Sequence, residues 1–281
     1  MADDDAQHRL VQRQFGANAA NYVTSPVHAK GKSLDRLVAL TNPQPTWRCL
    51  DIATATGHTA FAFAPHVAHV TASDITPEML DEARKVAASR ELANVTFAAA
   101  DAENLPFDDA AFDLVTCRIA PHHFPDCGRF VREAARVLKP GGTFALCDNI
   151  APDAVTFPEL PAPDTAAAAY NAFEKTRDPS HARALSAVEW AALAADAGLS
   201  ILHSERLDKA MSFNRWCTTM SVAPDVKATL RGDLLKPESA LASFVRPSPE
   251  TADDDEAANH DISFTLTELV MIARRPGAAT P

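Results

Sequence analysis

Cysteine is scarce and unpatterned: five residues, Cys49, Cys117, Cys127, Cys147 and Cys217, with no C-x-x-C pair. That excludes an even disulfide framework and predicts reduced thiols in a cytosolic setting. Positive charge is in deficit, with 26 Lys and Arg against 37 Asp and Glu, a net of −11. A chain this acidic has no general attraction for phosphate backbones or anionic lipid, which argues against nucleic-acid and membrane-surface partners. Long apolar runs are missing. The best, Thr59 to Ala72, is broken by Pro65, His66 and His69 and falls short of the ~18 residues a membrane span needs. Met1-Ala2-Asp3-Asp4-Asp5 carries the wrong charge for a signal or transit peptide, so a cytoplasmic location is expected. Glycines number only nine against twenty prolines, so each glycine marks backbone worth testing for a special conformation.

What is present is material for a large core, with 47% hydrophobic and 22% charged residues. At 281 residues, one elaborated domain or a domain with a lid is expected. Residues 47–150 alternate strand-like and helix-like segments. Trp47 to Ala53, Val67 to Ser73, Val95 to Ala100, Phe112 to Cys117 and Phe144 to Ile150 read as strands. Between them, Gly57 opens a short helix. Thr76-Pro77-Glu78 starts another, with Thr as N-cap and Met79, Ala83, Val86 and Ala87 on its apolar face. Pro125-Asp126 begins a third, with Phe130, Ala134, Val137 and Leu138 inward. Such alternation predicts βαβ units in a mainly parallel sheet covered on both faces.

Beyond residue 150 the pattern thins. Residues 151–163 hold four prolines and read as a connector. Ser186-x-x-Glu189 is a capping box, with Gly198 as the helix stop. Ile201 to Leu207 and Ile262 to Ala273 are strands. Segments 151–185 and 211–259 are expected to be lid inserts over an active site rather than separate domains.

In an open parallel sheet, ligands bind beyond the carboxyl ends of the strands. Three clusters fall there: Asp51 to Gly57, Asp74, and Asp101 to Glu103. Asp74 lies one βα unit after Asp51, where a carboxylate can accept both hydroxyls of a ribose; taken alone, it reads equally well as a solvated strand-end acid.

The succession Asp51-Ile52-Ala53-Thr54-Ala55-Thr56-Gly57-His58, Asp74, Asp101-Ala102-Glu103-Asn104-Leu105-Pro106-Phe107, Phe112-Asp113-Leu114-Val115 and Leu138-Lys139-Pro140-Gly141-Gly142 resembles the class I S-adenosylmethionine-dependent methyltransferases. The branch it resembles most is that of the ubiquinone/menaquinone C-methyltransferases and their small-molecule relatives. The resemblance covers about 47–150, and Gln14-Phe15-Gly16 through Tyr22 is similar to the family's N-terminal cap.

It implies an α/β, Rossmann-like seven-stranded sheet with an antiparallel last strand. It also implies one domain: a helical cap at 1–46, a cofactor-binding core at 47–150, and the two inserts. S-adenosyl-L-methionine would be the cofactor. Asp51 and the turn Ala53, Thr54, Ala55 and Gly57 would wrap its methionine part, and Asp74 would hold the ribose. Ile75 and Ala102 would flank adenine, Asp101 would accept from the adenine amino group, and Arg118 would line the floor by the sulfonium. Tyr22 and Met79 complete the implied set.

One departure concerns Ala53 and Ala55, where the family usually has glycine. An extra methyl there fits if φ is negative and otherwise crowds the ligand, at a cost to cofactor affinity.

His122-His123 follows the fourth strand, and either imidazole is a candidate general base, against a plain pocket-wall role. Cys117, His122, His123 and Cys127 fit no common structural-zinc spacing, so no metal is expected. His28, His181 and Trp216 are weaker polar candidates.

The expected activity is methyl transfer to an O, N or C atom of a small molecule. An aromatic or polyketide-like acceptor of secondary metabolism would suit the apolar inserts. The alternative is a methyltransferase-fold enzyme that binds the cofactor but catalyses a rearrangement or cyclisation. A nicotinamide oxidoreductase is disfavoured because no G-x-G-x-x-G is present. A non-catalytic scaffold is poorly supported by the carboxylates at 74 and 101. Oligomeric state is not legible in the sequence.

Overall fold

A computed structural model describes residues 2–23, 31–249 and 261–277, without the side chains of 2–3, 20–23 and 249. Five parallel strands form as the alternation predicts: β1 (Arg48–Ile52), β2 (His69–Asp74), β3 (Val95–Ala99), β4 (Phe112–Arg118) and β5 (Leu138–Asn149). They are followed by β6 (Ser200–Ser212), a two-residue β7 (Ser248–Pro249) and β8 (Ile262–Arg274). The sheet runs β3-β2-β1-β4-β5-β8-β6, with β7 pairing on β8 beside this seven-stranded path. β8 runs antiparallel to both β5 and β6, which is the expected reversal of the last strand. Chain order reverses between β1 and β4, and that switch point places a crevice at the strands' carboxyl ends.

The period of two along each strand sends alternate residues to opposite cores. Leu50, Ile52, Val115, Cys117, Phe144 and Leu146 join one buried cluster, which includes Phe130, Tyr170 and Trp190 from covering helices. Cys49, Leu114, Ala145 and Cys147 join the other, with Leu37, Phe63 and Ala83. Both faces are thus dry, as a parallel sheet requires.

Local chemistry fixes the helix starts, with two departures from expectation. Ser186 and Glu189 make the reciprocal capping box before the helix Ala187–Asp196, and Gly198 turns left-handed after it (φ 74°). Thr76 sits at the N-cap of the helix Pro77–Ser89, but its side chain does not cap. The Asp74 carboxylate accepts from the Thr76 amide (2.8 Å) and so fixes the residue from which the helix starts. The third helix starts at Cys127, after Asp126 rather than with it, because the Asp126 side chain accepts from Arg129 N and acts as N-cap. Among the described residues, no helix is long and apolar enough to cross a membrane.

Candidate functional site

A cleft of about 1440 Å³, counting its open mouth, lies at the carboxyl ends of β1, β2, β4 and β5. One half is lined by Ala53, Thr54, Ala55 and Thr56 after β1, by Asp74, Ile75 and Met79, and by Arg118. The helix Ala2–Val23 closes over it, contributing Val11 and Phe15, with Gln12 Nε2 donating to the Ile75 carbonyl (2.8 Å).

Asp74 is buried at the cleft wall, and its two oxygens accept from the amides of Ala55 (2.8 Å) and Thr76 (2.8 Å). The Thr76 hydroxyl and the Ile75 amide also bond to it, so the carboxylate is held firmly in place at the cleft wall. Burial raises its pKa, and the backbone donors act against that rise. Asp51 serves differently. It does not line the cleft, and it accepts from Thr54 Oγ1 (2.6 Å), Thr116 Oγ1 (2.6 Å) and Ala60 N (3.1 Å). It ties the β1 turn to β4 from behind, and burial pushes its pKa up to about 6. Gly57 is also behind the wall. Its φ is +90°, and an added Cβ would lie 2.2 Å from the Phe61 ring.

Ala53 (φ 52°) and Ala55 (φ 47°) are both left-handed. The condition under which their methyls fit easily is therefore not met. Each sits in the region that costs an L-residue roughly 1–2 kcal/mol. Ile119, at the end of β4 and also in the cleft, is left-handed as well (φ 53°). Strain gathered at one crevice is characteristic of functional sites.

Asp101 and Ala102 do not line the cleft. Asp101 Oδ1 accepts from Glu103 N (2.9 Å) within its own turn and has His8 Nε2 3.8 Å away, while Ala102 is packed in the core. The Tyr22 side chain and all of His28 lie outside the described residues.

The other half of the cleft is assembled around the two histidines, on a 3₁₀ turn Pro121–His123. The turn presents them differently. His122 donates its backbone N–H to Asp148 Oδ2 (2.9 Å) and brings Nδ1 to within 2.6 Å of Asp148 Oδ1, a carboxylate fully buried on β5. Burial opposes charge on this ring, but Asp148 outweighs it and holds the pKa above the ordinary value. His123 brings Nδ1 to the Ser180 carbonyl (3.0 Å) under the edge of Phe15, and burial together with His122 pushes its pKa down to about 3. His181 packs 5.5 Å from His122, bonds Asn171 through Nε2 (2.8 Å), and is pushed down to about 2, again mainly by burial. It does not line the cleft.

The rest of this half comes from the two inserts and β6. Arg177 stacks over Trp216 (4.5 Å) and pairs with Glu174 (3.0 Å), and Lys209 pairs with Glu268 (2.9 Å). Asp148, Asn149 and Lys209 are absent from the residues singled out by sequence. The strand-end rule that marks Asp74 applies equally to the Asp148-Asn149 pair ending β5 and would have found both. Among the described residues, no group of three or more His, Cys, Asp or Glu is placed to hold a metal.

The site suits S-adenosylmethionine. The cleft offers a buried carboxylate at its wall, apolar flanks from Ile75 and Met79, and a buried Thr56 hydroxyl without a hydrogen-bond partner among the described residues.

Comparison with known proteins agrees. The methyltransferase domain family matches residues 50–146. The chain is 36% identical over 202 residues to the uncharacterized methyltransferase YcgJ of Bacillus subtilis (strain 168), covering 72% of this chain and 76% of that one. The solved YcgJ structure superposes with a TM-score of 0.76 at 30% identity, over 88% of this chain and 99% of that one. The ubiquinone/menaquinone biosynthesis C-methyltransferase of Brucella anthropi is 37% identical over 157 residues, 52% of this chain and 59% of that enzyme.

Proposed function

The chain belongs to the class I S-adenosylmethionine-dependent methyltransferases, and from that premise we propose that it methylates a small organic acceptor through an ionisable O–H group, with His122 as base. The observation that carries this reading is the His122–Asp148 pair. A carboxylate at Nδ1 fixes the proton there and turns the Nε2 lone pair outward as a proton acceptor. His123 lacks that arrangement, and its lowered pKa makes it a neutral wall residue.

When bound, the cofactor supplies a methyl group on a cationic sulfur that departs as a neutral thioether. Ala53, Thr54, Ala55, Asp74, Ile75, Met79 and Arg118 form the wall that holds it, with Asp51 and Gly57 shaping that wall from behind. The helix Ala2–Val23 and the inserts at 151–185 and 211–259 exclude water and hold the acceptor in line. His122 Nε2 takes the acceptor's proton. The acceptor's electron pair forms the new bond to the methyl carbon, at the oxygen or at a carbon conjugated with it, while the carbon–sulfur bond electrons leave on sulfur.

The test is His122→Ala, assayed with methyl-labelled cofactor against a panel of phenols and enols. The expected result is a kcat lower by about 10²–10⁴-fold with unchanged S-adenosylhomocysteine affinity. Near-normal kcat would remove His122 as base. Conversion of an acceptor without label incorporation would turn the reading toward rearrangement or cyclisation.

A further inference from the structure

Asn149 closes β5 directly after Asp148, lines the cleft and is 9% exposed. Its Oδ1 is buried with no hydrogen-bond donor among the described residues. An amide oxygen taken from water and left unmatched is costly, and native proteins rarely keep one without use. Lys209, the nearest cation by strand register, does not serve it. Asn149 stands opposite Glu268 across β5 and β8, and Glu268 already holds the Lys209 ammonium (2.9 Å). Arg177 is likewise held by Glu174 (3.0 Å). Lys209 and Arg177 are thus each matched by a carboxylate, and Asn149 offers this half of the cleft a neutral hydrogen-bond acceptor.

Resting on the methyl-transfer reading above, we infer that Asn149 selects the acceptor: its Oδ1 receives a hydrogen bond from an O–H or N–H group adjacent to the hydroxyl that His122 deprotonates. The substrate class is thereby narrowed to molecules with two neighbouring polar hydrogens, such as a vicinal dihydroxy or amino-hydroxy aromatic. Both recognising groups line the same cleft, His122 on the turn after β4 and Asn149 at the end of the neighbouring β5. A site built around such a bond rejects analogues lacking the donor strongly, because its own polar group is then stranded.

Two arms test this on the full-length enzyme. The first needs no acceptor. Asn149→Leu should raise Tm by about 2–4 °C, as expected for removing ~1 kcal/mol of unmatched burial, and leave S-adenosylhomocysteine affinity within twofold. A lower Tm would mean that the amide is satisfied internally, and a tenfold loss of affinity would assign it to the cofactor; either overturns the proposal.

The second arm compares catechol and 2-aminophenol with phenol and 2-methoxyphenol, using labelled cofactor. The wild type should favour the first two by at least ~100-fold in kcat/KM. Asn149→Leu should lose that preference, and Asn149→Asp, which keeps an acceptor oxygen, should retain it. Equal turnover of phenol, or a preference surviving in Asn149→Leu, overturns the proposal. Wild-type turnover of none of the four would count against methylation of phenolic acceptors, while the first arm still decides whether Asn149 is an unmatched group facing the acceptor.

Discussion

The two halves of the cleft are built in opposite ways. The half after β1 and β2 is local: Ala53 to Gly57 form one turn, and Asp74 lies across a single strand from it, accepting from Ala55 N at 2.8 Å. The half after β4 and β5 is long-range, with His122 held by Asp148 and the wall completed from both inserts. In the first half backbone geometry does the work, and two alanines are held left-handed to do it. In the second half buried side chains set the site: burial lowers the pKa of His123 and of His181 behind it, and Asp148 raises that of His122. A local turn can be strained cheaply by its flanking strand and helix. A buried polar cluster has to be matched group by group.

The largest expected effect that separates the halves is acid sensitivity. His123 and His181 have folded pKa values pushed down to about 3 and about 2, so below their unfolded ~6.5 the unfolded chain binds protons the folded one refuses. Stability therefore falls as pH drops, by roughly 1.4 kcal/mol per unit for each histidine. Asp51, raised to about 6, opposes one of them between its unfolded and folded values, because there the folded form holds the extra proton. Chemical denaturation at successive pH values should show the loss beginning below about 6.5. His181→Asn should blunt it, and a curve flat to pH 4 would remove the buried neutral histidines from the account.

A smaller effect belongs to the first half. Asp74→Ala should weaken S-adenosylhomocysteine binding by about ten- to a hundredfold, or ~1.5–3 kcal/mol, by calorimetry. Some of this comes through the Ala55 and Thr76 amides that lose their acceptor. Unchanged affinity in a folded variant would take Asp74 out of the site.

The same contrast explains what the sequence could say. The βαβ order, the reversal at β8, and Asp74 as a strand-end acid follow from periodicity and strand-end position, which are local signals. The sign of φ at Ala53 and Ala55 is not local, because nothing in Asp51-Ile52-Ala53-Thr54-Ala55 separates a relaxed turn from a left-handed one. Nor does spacing reveal that Asp148 selects His122 over its neighbour, since the two partners are 26 residues apart and meet only through β4–β5 pairing. Asp101 follows the strand-end rule too, and there the carboxylate accepts from Glu103 N within its own turn, a contact that strand-end position alone does not reveal.

The smallest effect sharpens the strain argument. Ala53→Gly and Ala55→Gly each remove roughly 1–2 kcal/mol of left-handed cost and add about 0.5–1 kcal/mol of backbone entropy. Each should therefore raise stability by about 0.5–1 kcal/mol, visible as a small rise in Tm. A fall at both positions would show that the methyls pack usefully.

The central claim is that cofactor binding and acceptor activation reside in separate halves, and the pH dependence of both on one enzyme tests it most directly. His122 titrates above its ordinary value of ~6.5 because Asp148 overcomes burial, so its basic form, and with it kcat, should climb with pH above that value. His122 lies apart from the wall around Asp74 that is assigned to the cofactor, so S-adenosylhomocysteine affinity should stay level over the same range. A kcat that is flat above ~6.5, or an affinity that climbs in step with it, would contradict the division.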